Sequence, residues 1–169
     1  MDDFWEAIRR LLLEDEGHTF TGGGGMGDED IAAILRFPAC AVSTDSYTLD
    51  EPSTVLKPQH PRGYGSFAKV LGRFVRDEGI LSLEDAVRKM TSLPATFLGL
   101  TDRGIVRPGA QADLTVFDPD RIENISTFGD PDKYPVGIEY VLVNGVVAAE
   151  GGDRTKGLSG RVLSRPSSD

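Results

Sequence analysis

Apolar residues recur at helical spacing in several stretches of the chain, which predicts four helices. The first covers residues 3–13, with Asp2 or Asp3 as its cap, and the second opens at Asp28 and ends before Pro38. A third is predicted over residues 66–77. The fourth starts at Ser82, whose hydroxyl caps its first turn. It is expected to turn four side chains inward and to be followed, after an interruption at 91–94, by a further turn over 95–98: Leu83, Ala86, Val87 and Met90.

Other stretches have the apolar runs or the alternation of strands. Residues 39–42 read as a buried strand, and residues 112–117 as a second one. The runs 138–143 and 146–149 flank Asn144-Gly145, a dipeptide that strongly favours a tight hairpin. Residues 47–65 have no periodicity and predict a long loop, and the polar chain from Gly151 onward predicts an exposed extension. The first 100 residues thus alternate helix and strand, whereas the rest is β.

Composition excludes several classes of protein. The sequence has 27 acidic and 18 basic residues, a net charge of −9, so we expect no nucleic-acid partner and no polybasic grip on a membrane. No apolar run approaches the roughly 20 residues that span a bilayer. One cysteine, Cys40, cannot form an internal disulfide, and the acidic N-terminus is unlike a signal peptide, so we expect a cytoplasmic protein. His18, His60 and Cys40 are too few soft ligands for a self-contained zinc site of the usual kind.

A glycine run could suggest a nucleotide site. Gly22, Gly24 and Gly27 match the spacing of a dinucleotide-binding loop before a helix. The helix that follows, however, begins with three carboxylates where it should receive a pyrophosphate, and Asp28 stands where a phosphate-binding loop needs lysine. A flexible loop before a helix is therefore the favoured interpretation, and a nucleotide-binding α/β module is a remote alternative.

Two other positions are candidates for chemistry. Asp45 directly follows the predicted strand, where catalytic groups gather in an α/β barrel, although spacing alone favours an Asx turn or a helix cap. The segment 60–65 places His60, Arg62 and Tyr64 on one loop, and the planar fork of arginine suits a carboxylate ligand. A structural loop in which Arg62 pairs with a surface acid is the alternative. Cys40, inside an apolar run, is interpreted as a core residue rather than a nucleophile.

Several segments resemble the N-acyl-D-amino-acid deacylases (D-aminoacylases) of the amidohydrolase superfamily. The match runs in order along most of the chain, and its most specific part is His60-Pro61-Arg62-Gly63-Tyr64-Gly65. The less discriminating parts include the sequences around Ala112-Asp113-Leu114 and Val143-Asn144-Gly145. The remaining similar segments are 26–31, 43–45, 81–95, 98–100, 102–104 and 117–119.

The resemblance implies a fold and a division of the chain. The fold class is α/β: the last βα units of a (β/α)8 metal-dependent hydrolase barrel, over residues 1–100, followed by strands of a small β domain and a polar tail, over 101–169. This sequence is similar to the final third of such an enzyme. The family's early His-x-His pair, bridging cysteine and two mid-barrel histidines have no counterpart here, and Thr44-Asp45-Ser46 departs from its usual Ser-Asp-Gly.

The resemblance also implies a reaction. The complete enzyme would use zinc to hydrolyse the amide bond of a small N-acyl-D-amino acid, with Asp45 moving the proton and with His60, Arg62 and Tyr64 at the substrate. The family's metal ligands belong to the N-terminal part of the barrel, which is missing here and is the implied partner of this chain. This chain alone is therefore expected to hold no zinc tightly and to be inactive. The alternatives are a cyclic-amide hydrolase of the hydantoinase or dihydroorotase type and a non-catalytic fragment that completes another chain's barrel.

Overall fold

The computed structural model describes residues 3–16, 25–46 and 60–164. The chain divides into two compact units, Met1–Ile31 and Ala32–Asp169. Within the described residues the secondary structure is α/β, with helices in the first hundred residues and a small antiparallel sheet after them. The predicted change from a helical region to a β region near residue 100 is therefore confirmed, but the strand predicted among the first hundred residues is not found in the described ones.

The helix of the first unit is α1, Phe4–Glu14, and α2, Asp28–Arg36, crosses the boundary between the units. Asp3 caps α1 as predicted, because its carboxylate accepts a hydrogen bond from the Trp5 amide at 3.1 Å. The helix is amphipathic, yet all of its described side chains are exposed to some degree, including Trp5 at 71%. Three acidic residues form the first turn of α2, where a helix dipole favours negative charge.

The second unit contains a long helical segment that starts earlier than the pattern predicted. Helix α3, Arg62–Lys69, continues without a break into π-helical turns over Val70–Asp77, here called the π segment. The predicted loop was therefore wrong at 62–65, which are helical. Of the rest of that loop, residues 60–61 are not helical, as predicted, and 47–59 lie outside the described residues. The π segment supplies much of the buried apolar core, with Phe74 only 2% exposed.

Helices α4, Leu83–Met90, and α5, Ser92–Leu98, follow. Ser82 caps α4 as predicted, with its hydroxyl accepting the Asp85 amide hydrogen bond at 3.2 Å. The predicted inward face was only partly right. Ala86 is fully buried, but Val87 is exposed, and Lys89 takes a fully buried position that the apolar pattern did not indicate.

Four strands form an antiparallel sheet in sequence order. They are β1 Leu114–Phe117, β2 Ile138–Val143, β3 Val146–Glu150 and the short β4 Asp153–Arg154. The hairpin between β2 and β3 is confirmed at Asn144-Gly145, whose φ angles of 47° and 80° suit a tight primed turn. The chain after Gly151 is not simply an extension, because it adds β4 and its Ser159 hydroxyl donates to the Val143 carbonyl at 2.5 Å.

The prediction of a buried strand over residues 39–42 is wrong. These residues have no strand pairing in the described structure, and Ala41 is exposed while Cys40 and Val42 are half-buried. The Val42 amide instead donates to the Lys89 carbonyl at 3.1 Å. A strand exists through its neighbours, and the described residues supply no strand beside this segment.

Among residues 3–16, 25–46 and 60–164, no helix combines the length and apolar character needed to cross a membrane.

Candidate functional site

Asp45 ends the segment that leads out of α2. Its backbone adopts the left-handed conformation with φ 47°, which is uncommon for a residue other than glycine and better tolerated by aspartate and asparagine. The Asp45 amide lies 3.4 Å from the Ser43 hydroxyl that accepts its hydrogen bond. The carboxylate points outward and is 84% exposed. This backbone geometry presents the carboxylate to the outside rather than to the core.

Arg62 meets Asp45 at the start of α3. Its Nη1 lies 3.0 Å from Asp45 Oδ2. The structure therefore brings together two residues that the sequence analysis singled out as candidates for chemistry. The Arg62 side chain is 45% exposed, so it remains partly open to solvent while it is paired with Asp45. The alternative interpretation of this segment was a structural loop in which Arg62 pairs with a surface acid. Arg62 does pair with an exposed acid, and that acid is the candidate residue Asp45.

His60 is oriented by the same turn. Its Nδ1 accepts a hydrogen bond from the Arg62 backbone amide at 3.1 Å, so a neutral ring holds its proton on Nε2. The ring also makes an edge-on contact with Phe128, with centroids 4.9 Å apart. Burial lowers the pKa of His60, and the positive charge of Arg62 lowers it further, while Asp45 opposes both. The imidazole is therefore biased towards the neutral form.

Tyr64 lies one residue beyond Gly63 on the same helix. Its ring contacts Tyr134 edge-on at 5.5 Å between centroids. Burial raises the pKa of Tyr64, with Asp132 and Tyr134 adding to the increase, so the phenol remains a hydrogen-bond donor at neutral pH.

A segment after β1 holds the start of α3, and the sequence analysis missed it. The half-buried Asn124 and the buried Ser126 form this clamp: the Ser126 hydroxyl lies 3.1 Å from the Pro61 carbonyl and 2.6 Å from Asn124 Oδ1. Gly65 accommodates Asn124, since a Cβ at Gly65 would stand 1.7 Å from Asn124 Oδ1. Phe128 and Tyr134 belong to the same region of the chain. No periodic pattern marks these residues, so only the fold reveals them.

A metal site needs several ligand side chains close together. In the part of the chain that the structure describes, no three His, Cys, Asp or Glu side chains lie close enough to hold a metal ion. The Asp45 carboxylate is paired with a cation instead. The described residues by themselves do not fit a zinc site, and His18 lies outside them. What they offer is the Asp45 carboxylate beside the Arg62 guanidinium and the imidazole of His60, whereas the Tyr64 phenol lies against Tyr134 and Asp132 instead.

Comparison with known proteins identifies the family. Residues 49–149 match the family model described as "Amidohydrolase family". The chain belongs to this amidohydrolase family. It is 43% identical over 120 residues to an N-acyl-D-glutamate deacylase of Alcaligenes xylosoxydans xylosoxydans, a match that covers 71% of this chain and 23% of that relative. A shorter similarity, over 62 residues and 37% of this chain, links it to a dihydroorotase of Desulforapulum autotrophicum.

Solved structures agree with this amidohydrolase assignment. A D-aminoacylase with a binuclear metal centre superposes with a TM-score of 0.76 and 41% identity, over 83% of this chain and 28% of that one. The N-acyl-D-glutamate deacylase of Bordetella bronchiseptica, solved with zinc and a phosphonate that mimics the tetrahedral intermediate, gives 0.67 and 40%, over 75% and 26%. The chain thus spans less than a third of these relatives' length, and the resemblance to D-aminoacylases is confirmed.

Proposed function

We propose that this amidohydrolase chain is the C-terminal part of an enzyme that hydrolyses the amide bond of N-acyl-D-amino acids. Residues 1–100 would complete the barrel and residues 101–169 would belong to a small β domain. The observation that carries the proposal is the 3.0 Å pairing of Arg62 with Asp45 in an exposed position of the chain. It unites a group that can exchange protons with a group that can bind a carboxylate, the two functions that this substrate class requires.

Asp45 is the proton carrier of this proposal. Its carboxylate accepts a proton as water adds to the amide carbon, and it returns a proton to the nitrogen as the C–N bond breaks. The products are a carboxylate and a free amino acid, so the water is fully accounted for. The exposure of this carboxylate makes it reachable by a substrate held by the rest of an enzyme.

Arg62, His60 and Tyr64 are the proposed substrate-binding residues. The free part of the Arg62 guanidinium would bind the carboxylate of the amino acid, for which its planar fork is suited. Neutral His60 offers its Nε2 proton and Tyr64 its phenol proton as hydrogen-bond donors. Arg62 and Tyr64 lie on α3, His60 precedes it and accepts the Arg62 amide hydrogen bond, and the clamp formed by Asn124 and Ser126 holds the start of the helix.

Zinc belongs to the proposal only for the complete enzyme. Its ligands would have to come from outside the described residues, so no step is assigned to it here. The isolated chain is accordingly proposed to be inactive.

The cyclic-amide alternative has one observation in its favour, the similarity to a dihydroorotase over 62 residues. The linear substrate is preferred because the deacylase matches extend over 71% of the chain. Assaying both a dihydroorotate or hydantoin substrate and an N-acetyl-D-amino acid separates the two.

The test uses a chimera in which this chain replaces the matching segment of D-aminoacylase. With added zinc, the chimera should hydrolyse N-acetyl-D-amino acids, and the isolated chain should not. Asp45→Asn keeps the shape and the left-handed backbone but removes the base, so kcat should fall about 100-fold or more. Asp153→Asn, the same change at an exposed position on β4, is the control and should leave kcat unchanged.

Arg62→Lys keeps the charge and loses the fork. It should raise KM more than it lowers kcat, if the guanidinium binds the ground-state carboxylate. An Asp45→Asn chimera with near-full turnover would remove Asp45 from the mechanism and leave it as a turn residue. A chimera active only on cyclic amides would favour the alternative.

A further inference from the structure

Lys89 is a fully buried cation on α4. Its Nζ donates to the Phe37 carbonyl at 2.6 Å and to the Cys40 carbonyl at 3.4 Å, and it lies 3.8 Å from Asp85 Oδ2. Its side chain has 0% exposure. Burying an ammonium group is costly unless it is well hydrogen-bonded. An apolar residue would fill such a core position more cheaply, so the lysine has a use beyond packing.

The carbonyls that Lys89 binds belong to the segment that carries Asp45. The same end of α4 makes two further bonds to this segment. Arg88 Nη2 donates to the Pro38 carbonyl at 2.7 Å, and the Val42 amide donates to the Lys89 carbonyl at 3.1 Å. Four hydrogen bonds therefore tie the chain between α2 and Asp45 to the last turn of α4.

This tether explains how an exposed carboxylate can have a fixed place. The segment 39–42 has no strand pairing in the described residues, so hydrogen bonds to α4 do for it what a sheet would otherwise do. Val42 is three residues before Asp45, so at about 3.3 Å per extended residue a fixed Val42 keeps the backbone of Asp45 within about 10 Å of it. On the other side, Arg62 holds the carboxylate directly.

We infer that Lys89 is a positioning residue for Asp45: by binding the Phe37 and Cys40 carbonyls it fixes the backbone that presents the proton-transferring carboxylate. The inference rests on the proposed function of Asp45. Lys89 touches neither substrate nor the reacting atoms, so its loss should act on kcat through the placement of Asp45. The affinity for substrate, which the proposal gives to α3, should be unaffected.

The test compares variants of the active chimera. Lys89→Met retains an aliphatic side chain of similar length and loses the charge and donors, whereas Lys89→Gln retains an amide donor. Lys156→Met, the same change at an exposed lysine, is the matched control. Two quantities are measured: kcat and KM on an N-acetyl-D-amino acid, and hydrogen exchange of the peptide 37–46, which contains the Val42 amide.

The expected result is a graded, joint change. Lys89→Met should speed exchange of this peptide about tenfold or more, since bonds from a charged donor are lost, and should lower kcat about tenfold with KM within about twofold. Lys89→Gln should give a smaller change in both, and Lys156→Met none. The kcat–KM split and the partial rescue by glutamine are not expected of a general loss of folding.

Three outcomes would overturn the inference. One is unchanged exchange of the peptide in both variants. Another is faster exchange with wild-type kcat, which would show that the tether does not serve Asp45. The third is failure of both variants to fold by circular dichroism, which would make Lys89 a stability residue only. An active Asp45→Asn chimera would instead refute the proposed function, while the exchange data would still report whether Lys89 holds the segment.

Discussion

Replacing Gly65 by alanine should destabilise the protein even though alanine is the better helix former. In a helix interior this change ordinarily stabilises by about 1 kcal/mol. Here the new Cβ would lie 1.7 Å from Asn124 Oδ1 and 2.1 Å from Asn124 Cγ. Real Cβ atoms do not come so close, so Asn124 or helix α3 must move.

The expected size follows from what Asn124 would lose. Its Oδ1 accepts from the Ser126 amide at 3.0 Å and the Ser126 hydroxyl at 2.6 Å. Each such bond is worth about 0.5–1.5 kcal/mol, and overpacking costs about 1–3 kcal/mol. Both bonds and the overpacking together amount to about 2–6 kcal/mol, so after the gain in helix propensity of about 1 kcal/mol is subtracted, Gly65→Ala should lower the free energy of unfolding by about 1–5 kcal/mol.

A double-mutant cycle isolates the cause. Asn124→Ala removes the obstruction, so adding Gly65→Ala in that background should be neutral or stabilising by up to about 1 kcal/mol. Gly63→Ala is the control on the same helix, because among the described residues its Cβ would meet the movable Ser46 side chain alone, with Oγ at 2.6 Å. Urea unfolding of the four cycle members and this control, followed by circular dichroism, provides the free energies.

The reasoning fails if Gly65→Ala stabilises the wild-type background, or if its effect is the same with and without Asn124. Either result would mean that α3 and the clamp are not in the close contact described, and that the clamp does not set the position of Arg62 and Tyr64.

Three further predictions concern the site and the isolated chain. The pKa of His60 in the folded protein lies below its ordinary value of about 6.5, so the stability that neutral His60 contributes is complete above about pH 6.5 and is lost as the pH falls from there through the folded-state pKa. Arg62→Met should raise this pKa and Asp45→Asn should lower it further. NMR titration tests both shifts, and His18→Gln assigns the two histidine signals. The isolated chain should hold no stoichiometric zinc after dialysis, and metal analysis finding one zinc per chain would contradict this. The apolar side chains of Phe97 and Val162 are 87% and 97% exposed, and exposed apolar surface favours association. The chain should therefore also self-associate despite its net charge of −9. Light scattering showing a clean monomer would count against that expectation.

Local chemistry made part of the fold predictable. The cap at Ser82 depends on a hydroxyl and an amide three residues apart, and the turn at Asn144-Gly145 depends on two residues that accept positive φ. Such features are decided within a few residues, so the sequence alone is sufficient to predict them. Lys89 shows the opposite case. The apolar pattern predicted that Val87 faces inward. In the structure Lys89 is buried instead, and its ammonium group binds the Phe37 and Cys40 carbonyls, which lie 52 and 49 residues away in sequence.

The candidate residues could be chosen from sequence, but their arrangement could not. Segment 60–65 contains Pro61, Gly63 and Gly65, which are weak helix formers, and so it predicts a loop. Residues 62–65 are helical because contacts with distant residues outweigh that preference. The Ser126 hydroxyl donates a hydrogen bond to the Pro61 carbonyl, and Gly65 leaves the space that Asn124 occupies. A larger residue at 65 would improve the helix and break the clamp. Gly65, which favoured the prediction of a loop, is therefore the residue that lets the helix start where Arg62 can pair with Asp45.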